Sequence, residues 1–186
     1  MNTRITPLWK TVIMILTVVG IFLAMNQAFF WDAFGVVILT NSYLYFILAC
    51  FLPIVFLLFP ASKVLKSKPM PIYDLVLATV TLVVCVYFGF KGESIVTNGW
   101  DKSLSYPTIT LVFSFVLWAI VLEALRRTAG LVVTIIALVF SLYPLFALGV
   151  PIPFLQGIPY NLQDAARIHA MGVDSILGLP LQLSLI

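Results

Sequence analysis

Five apolar runs, each about as long as a bilayer is thick, leave this 186-residue chain few ways to fold. A hydrocarbon core about 30 Å across needs roughly 17–25 apolar residues per helix. The runs cover residues 9–26, 42–59, 72–90, 108–125 and 130–150. Hydrophobic residues are 62% of the chain and charged residues 9%, with a mean hydropathy of +1.15. So few polar side chains cannot cover a water-soluble globule of this length. The sequence therefore predicts an all-α integral membrane protein: a bundle of about five transmembrane helices, a C-terminal interfacial helix and a partial span. A soluble enzyme and a disordered chain are excluded. So is nucleic-acid binding: the ten Lys and Arg are scattered along the chain, with no basic stripe. The first run is read as a retained span, because Met25-Asn26-Gln27-Ala28 makes a poor signal-cleavage site.

Proline and acidic residues punctuate the runs. Pro71 suits the first turn of the third helix, and Asp74 lies where the positive end of the helix dipole favours a carboxylate. Pro107 and Ser105 do the same for the fourth. Pro53 and Pro144 fall inside runs and predict kinks. The pairs Gly20/Ala24 and Ala137/Ser141 are spaced for close helix contact.

Orientation follows from the basic residues in alternate connections. One side collects Arg4, Lys10, Lys63, Lys66, Lys68, Arg126 and Arg127; the other has Lys91, Lys102 and Arg167. The N-terminus is thus expected in the cytoplasm, with Trp9, Trp31 and Trp100 as interface anchors.

Chemistry-bearing residues are scarce. Glu123 is spaced i,i+3 and i,i+4 from Arg126 and Arg127, so these three are expected to form a charge cluster at the cytoplasmic end of the fourth helix. Cys50 and Cys85 lie in apolar runs without a CxxC partner and read as small buried hydrophobes. His169 with Asp174 offers too few ligands for a metal and reads as surface packing. Neither a catalytic residue nor a metal site nor a phosphate-binding loop can be read from the sequence, and no substrate-binding residue can be named. After residue 150 three prolines give an extended connection. Asn161 then caps a short helix over 162–171, expected on the membrane surface. The apolar stretch beginning at Asp174 has thirteen residues, a partial span only.

Four stretches carry a resemblance: SYLYFILACFLPIVFLLFP at 42–60, PIYDLVLA at 71–78, LEALRRTAG at 122–130 and GVDSILGLPLQLS at 172–184. Together they resemble fused TRAP transporter permeases of the TAXI type. SYPTIT, before the fourth helix, departs from that pattern in lacking an acidic residue. The resemblance implies a small-subunit-like four-helix domain over 1–129. Residues 130–186 would then be the truncated start of a large-subunit-like region. It implies a scaffold, not an enzyme, in a bacterial inner-membrane system for uptake of organic acids. The partners would be a large multi-span subunit, a periplasmic substrate-binding protein and the bilayer. The chain itself would hold no cofactor, the coupling Na+ or H+ binding at the large subunit. Two other readings stay open: a small membrane enzyme or redox protein using Cys50 and Cys85, and the small subunit of another binding-protein-dependent carboxylate carrier.

Overall fold

A computed structural model of the chain describes residues 6–29, 39–61, 71–98, 108–149, 156–172 and 175–178. The expectations placed on Arg4, Trp31, Lys63, Lys66, Lys68, Trp100, Lys102, Ser105, Pro107 and Asp174 lie outside these residues. The protein is all-helical: among the described residues there is no strand, and four helices are long and apolar enough to cross a membrane.

Helix α1 (Pro7–Ala28) opens on a proline whose fixed φ suits the first turn, behind an extended Thr6. Most of its surface is exposed, and its one buried residue is Gly20, which seats against the Phe51 ring of α2. Helix α2 (Thr40–Leu58) is the opposite case, buried along most of its length, with Pro53 accommodated inside it. It pairs closely with α3 (Ile72–Asn98). Tyr45 stacks on Phe88 with ring centroids 5.3 Å apart. Gly92 sits so near α2 that a Cβ there would fall 2.8 Å from the Ser42 nitrogen, which only glycine permits.

At 27 residues, α3 is about 40 Å long. It extends eight residues beyond the apolar run that ends at residue 90, so Lys91, expected in a connection, lies on an exposed face of the helix. Helix α4 (Thr108–Thr128) ends at Gly130, whose φ of 91° and ψ of 174° are essentially closed to residues with a side chain. That residue turns the chain directly into α5 (Leu131–Leu142).

Two sequence expectations are corrected beyond this point. The fifth run is not one long span: α5 has 12 residues and gives way to 3-10 turns at Tyr143–Leu145 and Ala147–Gly149. Pro144 is the cause, since it lacks the N–H that the α-helix would need there. The short helix α6 (Leu162–Met171), capped by the Asn161 side chain accepting from the Asp164 N–H, does not lie on an outer surface. It packs back against α4, burying Ala165, Ala166, Arg167, Ala170 and Met171.

The core forms two layers. One joins Tyr45, Phe88, Leu117, Met171 and Leu177, with α6 contributing to it. The other joins Phe56, Leu57, Ala78, Ile120 and Ala124, where α2, α3 and α4 meet. Trp9 of α1 packs half-buried on the second layer, and Lys10 beside it is exposed.

Candidate functional site

Helix α2 ends, α3 begins and α4 ends at the same end of the bundle, so α3 runs antiparallel to the other two. Four charges converge there. Arg126 forks onto Glu123, Nε and Nη2 each 2.7 Å from a carboxylate oxygen. Arg127 donates from Nε to Glu123 at 2.8 Å and from Nη1 to Asp74 at 2.6 Å. Both guanidinium groups also reach back to the C-terminal end of α2. Arg127 donates to the Phe59 carbonyl at 3.1 Å and Arg126 to the Ala61 carbonyl at 3.3 Å. A helix C-terminus presents unpaired carbonyls and the negative end of its dipole, so two cations are the natural closure. The Arg127 guanidinium stands over the Phe56 ring at 4.9 Å.

The expected Glu123–Arg126–Arg127 cluster is thus assembled, and Asp74 belongs to it as well. The sequence left Asp74 to the dipole of its own helix. The signal for its second role was that Asp74 and the two arginines were placed at the same end. The four groups divide into a wet and a dry half. The side chains of Arg127 and Asp74 are 1% and 0% exposed, those of Arg126 and Glu123 36% and 27%. Two anions and two cations leave the tetrad electrically neutral.

A second polar cluster surrounds α6, alongside the middle of α4. His169 was expected to pack at a surface; instead its ring lies 5.0 Å from that of Trp118 and is half-buried. Its Nε2 is 2.7 Å from the Ser141 carbonyl and its Nδ1 2.6 Å from Ser175 Oγ. A carbonyl can only accept, so Nε2 donates and, in the neutral ring, Nδ1 accepts from the Ser175 hydroxyl. The physical reason lies in α5: after Pro144 breaks the helix, the Ser141 carbonyl has lost its helical partner and His169 replaces it. The same repair recurs nearby, where the Tyr160 N–H donates to the Pro144 carbonyl at 3.0 Å. Tyr45 of α2 donates its hydroxyl to the Ala170 carbonyl at 2.6 Å. Trp118 Nε1 donates to Ser141 Oγ at 3.3 Å. Arg167 is buried and pairs with Asp164 at 3.2 Å, its Nε lacking a partner among the described residues.

Cys50 and Cys85 are free and buried in the helix packing. Among the described residues no three of His, Cys, Asp and Glu gather as metal ligands would. No family model matches the chain, and neither a curated protein nor a solved structure shows significant similarity to it.

Proposed function

We propose that this chain is the scaffold subunit of a TRAP-type secondary transporter. It would brace a larger membrane subunit that takes up organic acids delivered by a periplasmic binding protein. The observation that carries the reading is the tetrad. The most deeply buried carboxylate of the three-helix layer, Asp74, is neutralised inside the chain by Arg127, and the tetrad spends its charge on joining α2, α3 and α4. A transport path needs ionisable groups free to exchange partners with water or cargo; a brace needs them locked. LEALRRTAG at 122–130, which supplies three of the four charges, is also the most specific stretch of the sequence resemblance. On this reading the tetrad faces the cytoplasm of a bacterial inner membrane, and cargo and coupling ion bind on the partner.

The test is reconstitution. Proteoliposomes holding the chain alone should take up no organic acid under a Na+ or H+ gradient. A tagged copy purified from native membranes should bring with it a large multi-span protein. Gradient-driven uptake by the chain alone overturns the proposal.

A further inference from the structure

Between α3 and α4 runs an open groove of about 300 Å³, walled by Leu77, Val80, Val116, Ala119 and Ile120 and closed at one end by Glu123. From Val116 to Glu123 it is about 10 Å long along α4. The α4 wall is a stripe at positions i, i+3, i+4 and i+7, and its next turn outward carries Arg126. The groove is therefore an apolar slot that ends on the wet half of the tetrad.

The hydrogen-bonding capacity left at that end is specific. A guanidinium has five N–H groups and a carboxylate about four acceptor positions. Arg126 uses three N–H groups, two on Glu123 and one on the Ala61 carbonyl. Glu123 accepts three bonds, two at Oε1 and one at Oε2. Toward the described residues, two guanidinium N–H groups and one carboxylate lone pair remain, on two half-exposed side chains bonded to each other. The first takes an anionic oxygen and the second an ammonium N–H.

The geometry points to a phospholipid site for a zwitterion with a primary ammonium head, a phosphatidylethanolamine. One acyl chain fills the groove, the phosphate binds Arg126 and the ammonium binds Glu123. The neutral tetrad favours a headgroup without net charge over an anionic one. A quaternary ammonium, which has no N–H, loses the bond to Glu123. This site is independent of what the protein transports or braces.

The experiment uses the full chain, delipidated in detergent and titrated with phosphatidylethanolamine, phosphatidylcholine or phosphatidylglycerol of identical acyl chains. Bound copies are counted by native mass spectrometry and thermal unfolding is followed in parallel. One phosphatidylethanolamine should be retained and should raise the melting temperature, the other two binding roughly tenfold more weakly, as loss of one charge-assisted hydrogen bond implies. Ala119→Trp, which plugs the groove, should abolish the one-to-one adduct while leaving lipid-free melting within a few degrees. Arg126→Gln should weaken all three lipids, phosphatidylglycerol most, because the cluster is then left with a net negative charge. Equal retention of the three headgroups by the unaltered chain overturns the assignment, as does preference for phosphatidylglycerol. So does an adduct that survives in a folded Ala119→Trp protein.

Discussion

Where α2, α3 and α4 meet, Asp74 and Arg127 face each other as full charges shut away from solvent. Around α6, apart from the Arg167–Asp164 pair, His169, Ser175 and Tyr45 bond through single hydrogen bonds to one another and to backbone carbonyls. The first cluster ties three helices together across as many as 68 residues of sequence; the second repairs a helix that proline has broken. The difference teaches how each would fail. Opening the charged cluster leaves an ion short of a partner in a dry site, whereas breaking the Tyr45 or Ser175 contacts forfeits single hydrogen bonds.

The widest gap between the two should appear with Asp74→Asn. Arg127 then keeps its burial and its bond to Glu123 but loses the shorter of its two ion pairs, a loss of about 3 kcal/mol, the low end for a broken buried pair, read as unfolding at lower denaturant in detergent. The double change Asp74→Leu with Arg127→Met should recover most of this, since two well-packed apolar side chains replace the pair. Failure of the double variant to recover would mean that the charges contribute more than mutual neutralisation. Next in size comes Gly92→Val on the α2–α3 contact, which touches neither cluster. Overpacking against the Ser42 backbone should cost about 1–3 kcal/mol, visible as a lower melting temperature. Smallest are Tyr45→Phe and Ser175→Ala, each expected at about 0.6 kcal/mol and at most about 1.7. A loss of Asp74 size from either would show that the α6 cluster is as critical as the charged one.

Much of this was readable before any coordinates. The four long helices announce themselves because an apolar run of bilayer length has one low-energy backbone state in lipid, the helix. Glu123, Arg126 and Arg127 are tied by local spacing, and Asn161 by its position three residues before Asp164. What escaped is non-local or depends on a partner. Nothing in the sequence around Asp74 specifies a bond to residue 127. Residues 143–150 remain apolar, so hydropathy runs on past the point where Pro144 ends the α-helix. The mixed polarity of α6 resembles that of a surface helix. Its polar atoms find Ser141 and Ser175 only in the folded chain, and its alanines fit against α4. The proposed function draws on the sequence resemblance and on the reading of the tetrad as a fastening.

The brevity of α5 has a consequence for how the protein is made. Twelve residues reach about 18 Å, too little to settle across a bilayer unaided. The Ser141 carbonyl near its end accepts from His169, and the Pro144 carbonyl just beyond it from Tyr160, both of which leave the ribosome later. A helix this short is therefore expected to settle together with α6, which supplies the bond from His169.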